Sequence, residues 1–305
     1  MILEIESGET GSDGARRILL ERISCALRAL DGRAPLADKA VHDARKELKR
    51  ARATLKLIRD GIGERAYRRD NDALRSAARP LTHVRDAKVM LDTIERLAGL
   101  CAQAAGGPRV EPLRRILKTE RTAIRREVLQ SPRTLAGIRR TLRASSGRVK
   151  KLPARRDGWA VYGAGLQRTC RRGRRAFAAA RAECSPDLLH EWRKQVKFLW
   201  HQLQILQPLR PGVIGELADQ LHKLAEYLGE DHDLWVLRQR AGQHPDAFAR
   251  PGALSAFVAL IDGRRAELQD RAMALGERLY GEKPRSFQRR MCACWQAWRR
   301  QAAAA

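Results

Sequence analysis

The octapeptide His42-Asp43-Ala44-Arg45-Lys46-Glu47-Leu48-Lys49 returns 148 residues later as His190-Glu191-Trp192-Arg193-Lys194-Gln195-Val196-Lys197. Both copies read H-x-x-R-K-x-x-K, and both open a long amphipathic segment. Val41, Ala44, Leu48, Ala51, Leu55 and Ile58 in the first are answered by Leu189, Trp192, Val196, Leu199, Leu203 and Leu206 in the second. Steps that alternate between three and four residues put such a set on one helix face, the face that packs into a core. Beside it runs a cationic stripe: Arg45, Lys49, Arg52, Lys56 and Arg59 in the first copy, Arg193, Lys197 and His201 in the second. A core stripe flanked twice, in register, by positive charge predicts an internally duplicated helical protein that offers cations to a polyanion.

A second element repeats as well. Leu81-Thr82-His83-Val84-Arg85-Asp86-Ala87-Lys88-Val89-Met90 matches Leu228-Gly229-Glu230-Asp231-His232-Asp233-Leu234-Trp235-Val236-Leu237 at an offset of 147. The shared pattern is L-x-x-x-[R/H]-D-x-x-V-[M/L]. Two elements in one order at nearly equal offsets define a tandem duplication. Strand signals are nearly absent, with aromatic residues at 5% and no alternating Val/Ile/Thr runs. The expected fold is therefore all-α: two four-helix bundles facing each other across a pseudo-twofold axis. The first bundle is expected over residues 12–147 and the second over 157–300.

Helices are expected near 15–30, 36–60, 64–103, 109–130 and 133–144, then 159–184, 186–207, 213–241, 252–279 and 286–300. The acidic residues 1–14 read as a disordered lead. Gly32 and Pro35 interrupt the chain before the first His-containing helix, and Pro80 predicts a kink or break in the third segment. Ala104-Ala105-Gly106-Gly107-Pro108 reads as a loop. Ser145-Ser146-Gly147, the basic run 148–151, Pro153 and Gly158 read as the linker between the halves.

The chain has 305 residues, with 61 Lys+Arg against 35 Asp+Glu and a net charge of +26. Residues 1–152 carry 35 basic and 19 acidic side chains and the remainder 26 and 16, so both halves suit the same kind of partner. A charge of this size repels itself in a compact state, which implies a standing anionic partner or counterion cloud. Nucleic acid, an anionic membrane surface and a phosphate polymer all remain open at this level. Only 12 of the basic residues are Lys, and the planar guanidinium fork of Arg suits phosphate oxygens. The six cysteines are scattered, the N-terminus has no basic and apolar leader, and no run approaches 18 apolar residues. A cytoplasmic protein with reduced thiols is the expectation.

The motifs resemble the conserved histidine α-helical domain (CHAD) family. The residues that carry the resemblance are His42-x-x-Arg45-Lys46-x-x-Lys49-Arg50-x-Arg52, Leu81-x-x-x-Arg85-Asp86, His190-x-x-Arg193-Lys194-x-x-Lys197, and Leu221-His222-Lys223-Leu224 leading into Leu228-Gly229-Glu230 and Asp233. They span about residues 12–300, and their specificity lies in four motifs in the right order and spacing. The second His-containing helix departs from the family's K-R-L-R-Y-x-x-E pattern, with Trp200, His201 and Gln204 at the positions usually Arg, Tyr and Glu, and His222 stands where Lys is favoured. The second half's site is thereby expected to be weaker or tuned to another ligand length. The resemblance implies two four-helix bundles whose basic cleft binds inorganic polyphosphate without catalysis, and recruitment to polyphosphate granules.

On the residues themselves, Arg45 and Lys49 share a helix face one turn apart, and Arg52 and Lys56 extend it over roughly 15 Å. Such a row can track a linear polyanion, as basic grooves track single strands; its plain alternative is a solvated helix face. The expected contacts are Arg45, Lys46, Lys49, Arg52, Arg193, Lys194 and Lys197, supported by His42 and His190, with Lys56, His201, Lys223 and the cluster Arg171-Arg172-Arg175 in a second rank. Asp86 and Asp233 are expected to orient basic neighbours, since a carboxylate facing a polyanion repels it. Catalytic signatures fail. Lys194 stands where a zincin's second His belongs. His201, His222 and His232-Asp233 resemble the H…HD…D order of helical metal phosphohydrolases, which leaves a metal-dependent phosphohydrolase as the lesser alternative. His232-Asp233 is better explained as the repeat element aligned with Arg85-Asp86, where Arg is no metal ligand, and Cys292-Ala293-Cys294 lacks partner ligands. Glu4-Ile5-Glu6 resembles the start of a triphosphate-tunnel enzyme but lacks the Lys and the strands that follow there. No cofactor, metal or membrane partner is expected. Nucleic acid is the competing polyanion, although no helix-turn-helix, zinc-finger or stacking pattern supports it.

Overall fold

Two amphipathic hairpins, each with its His-containing helix in the middle, organise the chain. A computed structural model describes residues 4–32, 36–103, 110–153, 156–248 and 250–304. Its helices are α1 (Gly11–Leu30), α2 (Asp38–Leu57), a short α3 (Arg59–Ile62), α4 (Glu64–Gln103), α5 (Glu111–Leu129) and α6 (Pro132–Lys150). The second half contains α7 (Gly163–Ala182), α8 (Pro186–Leu206), α9 (Pro211–Gln243), α10 (Ala253–Leu279) and α11 (Pro284–Ala304). Among the described residues there is no strand, so the all-α expectation holds.

The apolar stripes that open the argument are the buried ones. Val41, Ala44, Leu48, Ala51 and Leu55 of α2, and Leu189, Trp192, Val196 and Leu203 of α8, are essentially inaccessible to water. In the first half α1 packs on α2, α2 on α4, α4 on α5 and α1 on α6. The second half repeats this with α7 on α8, α8 on α9, α9 on α10 and α7 on α11. The halves meet through α2 against α8 and α7, and through α4 against α9. One hydrophobic cluster runs through α1, α2, α6, α7, α8 and α11 with the near ends of α4 and α9. A smaller one joins the far ends of α4 and α9, around Ile94 and Leu237, to α5 and α10.

Three sequence expectations need correction. Residues 4–10 are not a disordered lead: Ile5 is buried, its N–H donates to the Ile205 carbonyl at 3.1 Å, and the Thr10 hydroxyl caps α1 by accepting from Asp13 N–H. Arg17 and Arg299 hold this segment further by donating to the carbonyls of Glu4 and Ser7. Pro80 does not break α4, which continues to Gln103. A proline removes one ladder hydrogen bond, and here the turns around it are anchored by the buried Leu74, Ala77, Leu81 and Val84. The stretch 145–150 belongs to α6 and not to a linker. Ser145 is fully buried, and Arg148 donates to its hydroxyl and to the buried Asp70 of α4 at 2.7 Å, which fastens the last turns of α6. The helix ends instead at Lys150, and residues 151–153 and 156–157 stand outside helices. Pro35 and the loop 104–108 lie outside the described residues, as do 1–3 and 154–155.

Candidate functional site

The cationic stripe of α2 emerges from the core beside α4, and that of α8 beside α9, because each flanks the apolar stripe that anchors its helix. Where α2 and α8 cross, the two stripes converge. Lys49 lies close enough to Lys197, Arg45 and Arg193 that all three oppose its protonation, and its pKa falls to about 7, enclosure by protein being the larger cause. Lys49 as a residue nonetheless remains exposed to water. Lys197 falls to about 8 through burial first and Arg193 next. Burial, Arg85 and Arg193 likewise lower Arg45, against the opposing pull of Asp86. The key cations of both copies thus share one place.

The two Asp residues of the second repeat serve this cluster. The Asp86 carboxylate lies 3.5 Å from the Arg45 guanidinium, and Asp233 feels Arg193 as its strongest basic neighbour. Burial nevertheless raises the Asp233 pKa. Gly229 has a steric role here: a Cβ on it would stand 3.0 Å from an Nη of Arg193, so its absence lets the guanidinium lie against α9. In the sequence Gly229 stands out only as part of the Leu228-Gly229-Glu230 motif that carries the family resemblance, with no sign of its contact with Arg193, and the first copy has Thr82 in its place. Arg85 is legible in the sequence as a repeat element and as part of the family motif, but not as a member of the expected contacts, yet it bears on both Arg45 and His42.

The other expected contacts separate into groups. His42 and Lys46 are exposed beside the cluster, and burial with Arg85, Lys46 and Lys49 lowers the His42 pKa. His190 is half-buried, 4.4 Å ring to ring from His232, and is lowered by burial and then by Lys194 and Arg193. Lys194 is exposed and paired with Glu191. Arg52 leans on α4, donating to the Asn71 side-chain carbonyl at 3.1 Å. Lys56 sits farther along α2 with its ammonium 4.3 Å from the Phe198 ring centre. Lys223 is exposed on α9 next to His222, whose ring stacks on Trp200 at 4.2 Å. His201 is misplaced in the expected set. It is 6% exposed, stacked on Trp200, hydrogen-bonded to Gln204 and held neutral by burial, with a pKa near 3. An imidazole so enclosed packs the core and cannot meet a ligand from solvent.

These features agree with a family assignment. The CHAD domain model matches residues 18–242. The chain belongs to the CHAD domain family. The crystal structure of the CHAD domain from the plant Ricinus communis matches this CHAD protein with a TM-score of 0.61 at 18% identity, over 91% of this chain and 95% of that one. That likeness speaks to the fold. Among curated proteins, none matches the chain.

Beyond the cluster, an open groove of about 520 Å³ between α4 and α9 is lined by Arg85, Val89, Asp92, Glu95, Arg96 and Asp233. Among the described residues no group of three or more His, Cys, Asp or Glu side chains is disposed to hold a metal ion. No described helix is long and apolar enough to cross a membrane.

Proposed function

We propose that this CHAD protein binds inorganic polyphosphate without altering it chemically, the chain lying over the cleft where α2 and α8 cross. The observation that carries the reading is the convergence of Arg45, Lys49, Arg193 and Lys197, with Lys49, Lys197 and Arg45 each lowered by burial first and then by cations of this group. Holding four like charges together in the free protein is unfavourable, and a linear polyanion relieves that repulsion along its length. The neighbouring carboxylates Asp86 and Asp233 face Arg45 and Arg193, where they can hold guanidinium groups in position. His42, Lys46, His190 and Lys194 form the rim of this site.

The six Trp side chains give little support to nucleic acid as the ligand. Trp192 is fully buried, and Trp200 has His201 and His222 stacked against it. Single-strand binders present aromatic faces on which bases stack. Recruitment to polyphosphate granules in the cytoplasm follows as the cellular expression of the same affinity.

The test is a titration with long-chain polyphosphate at about 150 mM salt, where long-range steering is already screened, with duplex and single-stranded nucleic acid as competitors. Binding that excess nucleic acid fails to displace is expected; equal competition would make the site a general polyanion groove. Charge reversal of both central lysines, Lys49→Glu with Lys197→Glu, is expected to weaken binding by a hundredfold or more with the helical circular dichroism unchanged. Retained affinity in that variant would move the site to another face.

A further inference from the structure

The two copies of the cationic stripe are not equal beyond the cleft. Past Lys49 the stripe continues as Arg52 and Lys56 on α2 and Arg59 at the start of α3, whereas the equivalent positions in the second copy are Trp200 and Gln204 on α8 and Gln207 just after it. The α8 route is therefore uncharged and partly capped, its Trp200 stacked against His201 and His222. The groove between α4 and α9 offers another route, but the carboxylates Asp92, Glu95 and Asp233 line it against only Arg85 and Arg96. Three carboxylates facing two guanidinium groups leave that route without net positive charge. Only the α2 route stays positive. Lys56, two turns and about 10 Å beyond Lys49, lies where α7 packs on α2, a Cβ on Gly165 of α7 falling 2.8 Å from the Lys56 carbonyl oxygen. The exposed Arg172 of α7 is its strongest charged neighbour. Arg171 and Arg175, also exposed, extend the same helix's basic surface. Glu191, the carboxylate near Lys56, is already engaged by Lys194 and Gln195. Arg59, by contrast, is spent on Glu64 at 2.5 Å and on the Tyr67 ring.

From this asymmetry we infer that the site is one-sided: a phosphate chain longer than the central cleft leaves it along α2, over Lys56, and onto Arg172 of α7. The inference rests on the polyphosphate reading above and adds a direction and a length dependence to it. Lys56 and Arg172 become chain-length determinants, contacts that a long chain makes and a short one does not reach.

The experiment compares tripolyphosphate and long-chain polyphosphate as probes on three full-length proteins: wild type, Lys56→Ala with Arg172→Ala, and Arg285→Ala with Arg289→Ala. The last pair removes the same charge from exposed positions of α11. The Lys56/Arg172 variant is expected to bind the long chain about tenfold more weakly, a loss on the scale of one or two charge-assisted contacts. Its salt dependence should also flatten by on the order of one log unit per log unit for that probe. Tripolyphosphate affinity, and both affinities of the α11 variant, should stay within about twofold of wild type. Equal losses for both probes, or equal losses in both variants, would overturn the one-sided track, as would an unchanged long-chain affinity. Wild-type protein that binds neither probe would instead remove the polyphosphate reading itself.

Discussion

At the residue scale, the polyphosphate binding proposed for the central lysines would be coupled to protons. A lysine free in solution titrates near 10.4, whereas Lys49 and Lys197 are brought to about 7 and about 8 by enclosure and by the cations around them. Each amine binds phosphate in its charged form, so affinity should fall as pH rises from about 7 to 9. A bound polyanion stabilises the charged form, so binding at pH 8 should draw protons from the buffer. Titration calorimetry in two buffers of different ionisation enthalpy measures that uptake directly; a value of zero would mean that both amines are already fully protonated in the free protein. The sign for stability is the opposite one. Between about pH 7 and 10 the unfolded chain holds more protons at these two positions than the folded one, so their contribution to stability rises with pH across that window.

At the element scale, the halves are joined by a close approach of helices that depends on one missing side chain. A Cβ on Gly165 in α7 would fall 1.9 Å from the Leu57 carbonyl oxygen at the end of α2. Backbone cannot yield as the tip of a flexible side chain does. Gly165→Ala should therefore destabilise the protein by about 3 kcal/mol, at the upper end of ordinary overpacking penalties, measured as a lowered midpoint in chemical denaturation. A midpoint within experimental error of wild type would show that α7 and α2 separate freely. The lower end of α6 is anchored in a comparable way, through Arg148 reaching Asp70 and Ser145. The motif Ser145-Ser146-Gly147 carries loop-forming residues, and local propensity alone argues for a break there. Packing against α4 overrides that propensity, which is why the helix runs on to Lys150.

At the scale of the whole molecule, a net charge of +26 strains the free protein and rewards any bound polyanion. Ligand that binds only the folded state at about a hundredfold excess over its Kd contributes about 2.7 kcal/mol. Long-chain polyphosphate should accordingly raise Tm by several degrees, and monophosphate at equal phosphate concentration should raise it much less, since separate ions neutralise the cleft without chain connectivity. Thermal unfolding followed by circular dichroism distinguishes the two. Equal shifts would indicate general counterion screening and no dedicated site.

Much of this arrangement could be read without coordinates. The repeated H-x-x-R-K-x-x-K stripe, its apolar companion and the second repeat at a matching offset were enough for the all-α class, the helix order and the cations Arg45, Lys49, Arg193 and Lys197, because periodicity and charge pattern are local properties of the chain. Other features depended on which helix meets which. His201 continues the stripe on paper but is buried against Trp200, Arg85 joins the cluster from α4, and Gly229 earns its place only because Arg193 lies over it. The same holds for the anchored residues 4–10, whose polar composition suggests a free tail until Ile5 finds Ile205. Sequence by itself determined the elements and their charged faces; only the tertiary structure decided which of those charges meet, because desolvation and like-charge coupling exist only between groups that packing has brought together.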